Sequence, residues 1–306
     1  MKLGLQISSF TWSGGDAAIA DTFASIVRAA DEAGFDSIWV MDHFLQIRGV
    51  GRPDEPMLEG FTTLGYAAAL VKRARLGLMV GGIHYRQAGL WVKAGTTLDV
   101  LSGGRSYFGI GAAWNEDESR AWGFPMPPLR TRFEMLEETL ALAHQAWSGE
   151  QGKRETFDGR HYQATDPLNA PQALSRPRPP ILIGGGGERR TLKLVARYAD
   201  ACNVFGTDIA QLRHKYEVLR GHCESVGRDY AEIEKSFLTS VSITPDGAGR
   251  SLTPAAMVDR LGRTAEAGAQ HAIVGVSGVE DLSKIELIGR TVIPQLRGIG
   301  EPSPID

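Results

Sequence analysis

A histidine and an aspartate stand together where a proton could be transferred. Asp42-His43 directly follows residues 36–41, a run of branched and aromatic residues that predicts a β-strand. An imidazole exchanges protons near neutral pH, so His43 is a candidate general acid or base. The alternative is a loop histidine beside a helix-capping aspartate. We favour proton transfer because catalytic residues follow strand ends in barrels of parallel strands.

Four consecutive glycines, Gly184, Gly185, Gly186 and Gly187, lie between a predicted strand and a predicted helix. Backbone N–H groups at the start of a helix bind anions, and glycine lets a phosphate approach closely. The run matches neither the Walker motif nor the dinucleotide fingerprint. A flexible turn is the alternative, but four glycines favour a phosphate site.

A run of small residues, Gly109 to Ala113, leaves another predicted strand. Such residues let a flat ring pack against the backbone, although a tight strand–helix junction would need them equally. Gly81-Gly82 permits unusual backbone geometry after the third strand. Trp114 either forms a pocket wall or covers the barrel end.

Several other kinds of site are not indicated. The seven histidines form no HExxH pattern, so we expect no metal. Ser8, Ser9 and Ser277 lack the GxSxG setting of a serine hydrolase. The two cysteines, Cys202 and Cys223, are too few for a disulfide framework.

The elements that position these residues alternate between strand and helix. Predicted strands cover residues 2–7, 36–41, 74–80, 105–110, 180–183, 201–205, part of 233–243, and 271–276; predicted helices cover 17–33, 62–71, 88–101, 131–147, 189–199, 209–226, 254–267 and 281–292. Eight such units predict a closed (β/α)₈ TIM barrel of parallel strands, an α/β fold. The alternative is an open doubly wound sheet, which is disfavoured because no dinucleotide fingerprint follows the first strand.

The alternation is interrupted once, between the fourth helix and the fifth strand. Residues 148–180 are rich in proline, glycine and charge, and their Asp158-Gly159 pair is a hairpin signal. We interpret this segment as an insertion without its own core, within a single domain that spans residues 1–306.

Composition excludes several classes of protein. The 306 residues are 42% hydrophobic and carry 33 Lys and Arg against 36 Asp and Glu. There is no basic excess to predict nucleic-acid binding and no apolar run long enough for a membrane span. Asp16, Asp21 and Asp31 argue against a secretory signal. We therefore expect a soluble, cytoplasmic enzyme.

Considered together, these stretches resemble the bacterial luciferase-like monooxygenase family, in particular its branch that uses coenzyme F420, an 8-hydroxy-5-deazaflavin. The resemblance covers nearly the whole chain. The matching segments are residues 34–44, 55–61, 98–105, 109–115, 123–125, 132–134, 183–189 and 198–203.

The resemblance implies a set of site residues. The cofactor ring would lie across the C-terminal face of the barrel, with the insertion over the mouth. A bulge with a non-proline cis peptide, at Met79–Val80, would support the ring, and the cofactor phosphate would lie near the four glycines. His43 would be catalytic. The cofactor would contact Asp42, Met79, Val80, Gly81, Ala112, Ala113, Asn115, Gly184, Gly185, Gly186 and Gly187. Trp39, Phe44 and Trp114 would either shape the substrate pocket or pack at the barrel end.

One departure affects the expected substrate. The deazaflavin-dependent sugar-phosphate dehydrogenases of the family have a proton-donating glutamate after strand four, and the matching position here is Trp114. Glu116 and Glu118 come slightly later. A sugar phosphate is therefore disfavoured, and His43 is the better acid or base.

The resemblance leaves three functions open. The first is hydride transfer between F420 and a small organic substrate, with His43 exchanging the accompanying proton. The second is an FMN-dependent monooxygenase that needs a separate reductase. The third is a deazaflavin-binding protein without turnover. Relatives often form homodimers, and we expect the same here.

Overall fold

The computed structural model describes residues 1–149 and 152–305 and shows a closed barrel of parallel strands. The strands are β1 (Lys2–Ile7), β2 (Ser37–Val40), β3 (Arg75–Leu78), β4 (Gly81–Gly82), β5 (Ser106–Gly111), β6 (Phe157–Asp158), β7 (Gln163–Ala164), β8 (Ile181–Gly184), β9 (Ala201–Phe205), β10 (Glu234–Val241) and β11 (His271–Val276). Neighbours around the sheet run β3-β2-β1-β11-β10-β9-β8-β5, and β3 pairs with β5 to close it. With β3 and β4 counted as one interrupted strand, the described residues contain eight barrel strands. The predicted TIM barrel is confirmed, and the open sheet is wrong.

Helices surround the barrel. They are α1 (Ile19–Ala33), α2 (Gly60–Leu70), α3 (Ala88–Leu101), α4 (Glu116–Trp122), α5 (Leu129–Ala146), α6 (Thr191–Tyr198), α7 (Ile209–Val226), α8 (Pro254–Gly262), α9 (Leu282–Thr291) and α10 (Ile293–Leu296). Helices α1 and α7 end where predicted, at Gly34 and Gly227, because both glycines adopt the left-handed conformation. Helix α4 was not predicted.

A buried polar network fills the N-terminal end of the barrel interior. Glu234 accepts hydrogen bonds from His271 Nδ1 and Tyr107 Oη, each at 3.1 Å. Ser37 Oγ lies 2.9 Å from His271 Nε2 and accepts a 2.7 Å bond from Trp39 Nε1. Trp39 is fully buried in this network, so its predicted place in the substrate pocket is wrong. The Trp39 side chain points from β2 into the barrel interior, away from the mouth.

The inserted segment lies on the outside of the barrel. Its hairpin, formed by β6 and β7, has the Asp158-Gly159 pair at the start of its turn. Glu138 of α5 accepts hydrogen bonds from the N–H groups of residues 160–162. Further along, Asp99 at the end of α3 accepts the N–H groups of Leu174 and Ser175. None of residues 152–180 lines the mouth of the barrel, so the prediction that the segment covers it is wrong; residues 150 and 151 lie outside the described residues.

Across residues 1–149 and 152–305, no helix has both the length and the apolar character to cross a membrane.

Candidate active site

A cleft of about 760 Å³ opens at the C-terminal ends of the strands. Its walls come from β1, from the loops after β2 and β5, from β4, from the turn after β8, and from β9 and β10. The residues that line it are Gln6, Ser8, Met41, Asp42, His43, Ile47, Val50, Met79, Val80, Gly81, Gly82, Tyr85, Gly111, Ala112, Ala113, Trp114, Leu129, Phe133, Leu136, Gly184, Gly185, Gly187, Thr191, Phe205, Leu238, Thr239 and Ser240. Most predicted site residues therefore meet in one cleft.

His43 is held by a buried carboxylate. Its Nδ1 lies 2.8 Å from Oε2 of Glu118, whose side chain is fully buried. The other ring nitrogen, Nε2, has no hydrogen bond to any described residue, and the ring lines the cleft. A carboxylate at Nδ1 fixes the neutral tautomer with its proton on Nδ1. Nε2 is then an acceptor in the neutral ring and a donor in the protonated one.

Glu118 has further partners that hold it in place. Its Oε1 accepts the backbone N–H groups of Phe44 and Leu45, and its Oε2 accepts the Tyr85 hydroxyl. Burial alone would raise the pKa of Glu118, but the hydrogen bonds from His43 and Tyr85 outweigh it and lower the pKa. Burial and the bond to Glu118 raise the pKa of Tyr85. Glu118 is therefore ionised and Tyr85 protonated at neutral pH.

Sequence reasoning missed Glu118 as a site residue. Helix α4 carries it, and Asn115 caps that helix by accepting the N–H of Glu118 at 3.3 Å. The signal was present in the sequence, because an N-cap residue followed three positions later by glutamate is typical of a helix start. The pattern indicates a helix, but only the fold shows that the carboxylate turns towards His43.

Asp42 belongs to an internal ion pair. Arg86 donates Nη1 to Oδ2 at 2.7 Å and Nη2 to Oδ1 at 2.8 Å, and Oδ2 also accepts the Gly82 N–H at 3.1 Å. Arg86 also pairs with Glu59. Burial would lower the pKa of Arg86, but Asp42 and Glu59 raise it. Asp42 therefore links the end of β2 to β4, and its carboxylate is already hydrogen-bonded.

One wall of the cleft is flat and formed by small or apolar residues. The Met79–Val80 peptide is cis, at the position that the family resemblance implied. On the neighbouring strand end, Ala113 adopts a left-handed backbone with φ of 61°. Arg132 donates to the carbonyl oxygens of Ala112 and Ala113 at 3.1 and 2.7 Å, which holds that turn in place.

The four glycines form a turn with unpaired donors. The N–H of Gly185, at φ of 114°, bonds the carbonyl of Asn203. No described residue accepts a hydrogen bond from the N–H of Gly186 or Gly187. A Cβ on Gly187 would lie 2.8 Å from Thr191 Oγ1. The turn therefore presents free amide donors just before α6, in space that a side chain would fill, which suits a phosphate.

Three predicted residues have other environments. Phe44 packs against Tyr85 and Phe124, with ring centroids 5.1 and 4.8 Å away, and does not line the cleft. Asn115 caps α4 rather than lining the cleft. Gly186 lies outside the lining, whereas Trp114 lies within it, 61% exposed, with its ring 5.7 Å from that of His43.

The model of the luciferase-like monooxygenase family matches residues 1–272. The chain is 30% identical over 255 residues to the F420-dependent glucose-6-phosphate dehydrogenase of Kineococcus radiotolerans, covering 81% of this chain and 70% of that protein. It is 31% identical over 230 residues to the enzyme of the same name from Nakamurella multipartita, covering 73% of this chain and 64% of that protein. The chain therefore spans about two thirds of the length of these relatives.

Among solved structures, an F420-dependent secondary alcohol dehydrogenase in complex with an F420–acetone adduct superposes with a TM-score of 0.80. The match covers 97% of this chain and 99% of that chain at 18% identity. At this identity the match shows a shared fold.

Proposed function

The chain belongs to the luciferase-like monooxygenase family, and we propose that it is an F420-dependent oxidoreductase that acts on a small organic molecule. The observation that carries the proposal is His43 in the cleft, with Nδ1 on buried Glu118 and with no hydrogen bond from Nε2 to any described residue. The family match and the F420-dependent relatives support the same cofactor. When bound, F420 would serve as the hydride carrier, donating or accepting a hydride.

The residues present suit such a cofactor. The small residues Gly111, Ala112 and Ala113 leave room for a flat ring against the backbone, beside the Met79–Val80 peptide. The free N–H groups of Gly186 and Gly187 would hold its phosphate. Asp42 would act through the backbone that it holds, since its carboxylate is bonded to Arg86 and Gly82.

His43 would move the proton that accompanies hydride transfer. In the oxidation of an alcohol, the neutral ring accepts the hydroxyl proton at Nε2; in the reverse direction the protonated ring returns it. Glu118 stabilises the protonated ring and fixes which nitrogen faces the cleft. The hydride and this proton together account for the two electrons and two hydrogens exchanged.

Titration of the purified protein with F420 and, separately, with FMN tests the cofactor. Cofactor fluorescence gives each dissociation constant. We expect tight binding of F420 and weak binding of FMN. Tight binding of FMN alone would indicate the oxygen-using branch, with a separate reductase, and would contradict the proposal.

The substitution His43→Ala distinguishes an enzyme from a binding protein. We expect turnover to fall by about 10²–10⁴-fold, the usual contribution of a positioned acid or base, with F420 affinity nearly unchanged. His214→Ala, on an exposed histidine of α7, is the control and should leave turnover unchanged. Equal turnover in both variants would exclude the role of His43.

Homodimer formation stays a prediction, to be checked by sedimentation.

A further inference from the structure

We propose that the outer part of the cleft binds a neutral, predominantly apolar substrate and rejects phosphorylated sugars. This inference rests on the proposed F420-dependent activity and concerns the substrate class. Four large apolar side chains at the mouth carry it: Val50, Trp114, Leu129 and Phe205, which we call the apolar rim.

The apolar rim is unusually exposed for such residues. Val50 is 44% exposed, Leu129 52%, and Trp114 and Phe205 61% each, and all four line the cleft. They come from four different parts of the barrel: the loops after β2 and β5, the start of α5, and the end of β9. Apolar side chains from separate elements that converge on one opening are typical of a ligand-binding site.

The charge of the cleft selects the substrate. None of the described residues that line it is Lys or Arg. Three cations beside its walls are already bonded: Arg86 to Asp42 and Glu59, Arg132 to two carbonyl oxygens, and Lys215 to Glu188. Once the phosphate of F420 occupies the glycine turn, the described residues of the cleft offer a second phosphate ester neither Arg nor Lys at bonding distance, the usual partners of such groups. A sugar phosphate would therefore bring an unpaired dianion against apolar walls, which is unfavourable.

Two exposed cations could contradict this inference. The guanidinium of Arg190 lies 5.5 Å from the ring centre of Phe133, which lines the cleft. Arg260 is exposed on α8, outside the cleft, and its Nη2 lies 3.4 Å from Oγ1 of Thr239, which does line the cleft. If either side chain turned inward, it could reach an anionic substrate. The experiment must therefore include Arg260→Gln and Arg190→Gln.

Binding is measured on the F420-loaded protein, so that the glycine turn is filled. The probes are 1-phenylethanol, cyclohexanol, acetophenone and glucose 6-phosphate, followed by saturation-transfer NMR and by turnover in both directions. We expect the neutral probes to bind at least 10-fold more tightly than glucose 6-phosphate, and Arg260→Gln and Arg190→Gln to change neither affinity.

Truncation of the rim gives the second measurement. Phe205→Ala and Leu129→Ala should weaken binding of the neutral probes on the order of 10-fold, because each removes apolar contact area. Leu168→Ala is the matched control, since Leu168 is 60% exposed and lies outside the cleft. Its effect should be less than 2-fold, an order-of-magnitude bound for a distant surface residue.

The outcomes separate the two proposals. Failure to bind F420 would overturn the proposed function. Binding of F420 together with tighter binding of glucose 6-phosphate, or with no binding of any neutral probe, would overturn the substrate class and leave the cofactor assignment standing. Dependence of glucose 6-phosphate turnover on Arg260 or Arg190 would do the same.

Discussion

At the scale of single residues, the chemistry of His43 depends on a side chain 75 positions away along the chain. Glu118 is buried and bonded to His43, Tyr85 and two backbone N–H groups. Because it is ionised, it orders the imidazole without itself facing the cleft, so we regard it as a positioning residue.

Glu118→Gln tests that role. An amide places an N–H₂ group opposite Nδ1, which favours the other tautomer and leaves a proton on Nε2. We expect turnover to fall roughly 10²-fold and the ring tautomer of His43, read from its ¹⁵N NMR signals, to change, with F420 affinity retained. Glu116→Gln is the control on the same helix, because Glu116 is exposed. The same His43 tautomer in both variants, with both still folded, would contradict the positioning role.

At the scale of elements, short irregular segments at the strand ends form the cofactor wall. The strand interruption at residues 79–80 turns Val80 into the cleft, close enough that a Cβ on Gly184 would lie 2.7 Å from its Cγ2. The turn at 184–187 then leaves two amide donors free before α6. The two neighbouring segments thus fit each other only with glycine at position 184.

Two glycine substitutions test the turn. Gly187→Ala places a methyl group where it meets Thr191, in the cleft, and should weaken F420 binding at least about 10-fold if the phosphate lies there. A Cβ on Gly186 meets only Lys215 and Val204 at 3.6 Å or more, so Gly186→Ala should change affinity less than about 3-fold. Isothermal titration with F420 measures both. Equal F420 affinities of the two variants would contradict the placement of the cofactor phosphate at this turn.

At the scale of the whole molecule, the barrel divides into a polar N-terminal interior and an open C-terminal cleft. Glu234, His271 and Tyr107 link β10, β11 and β5 across the interior, and Ser303 ties the C-terminal segment to Glu234. Burial would raise the pKa of Glu234, but His271, Lys2 and Ser303 more than compensate and lower it from 4.5 to about 2. The folded state therefore favours the ionised form.

This lowered pKa predicts a pH-dependent stability. The contribution of ionised Glu234 is complete above about pH 4.5 and is lost as the pH falls towards 2. Glu234→Gln should lower the free energy of unfolding by about 2–4 kcal/mol at pH 7, and the difference from the natural protein should shrink below pH 4.5. Urea unfolding at pH 7, 5 and 3.5 measures it. Glu232→Gln, 63% exposed, is the control, with an expected change under about 1 kcal/mol; a difference that stays constant with pH would contradict the assignment.

The barrel could be predicted from the sequence alone, because strand and helix signals are local. Apolar runs, glycine helix ends and the eight-fold alternation need no knowledge of distant contacts. The Asp42-His43 pair and the four glycines could be singled out in the same way, because each comes directly after a predicted strand. The family resemblance added the cis peptide at Met79–Val80. The environments of Trp39 and Phe44 could not be inferred in this way, since each depends on aromatic residues from other parts of the chain.

The contacts between distant side chains could be known only from the folded chain. Glu118 reaches His43, Arg86 bonds Asp42, and Phe205 and Leu129 share one opening, although each pair is far apart in sequence. The inserted segment was expected at the mouth, but its hydrogen-bonding groups find partners on α3 and α5. Such pairings depend on how the strands close around the barrel axis, and that closure is a property of the whole chain.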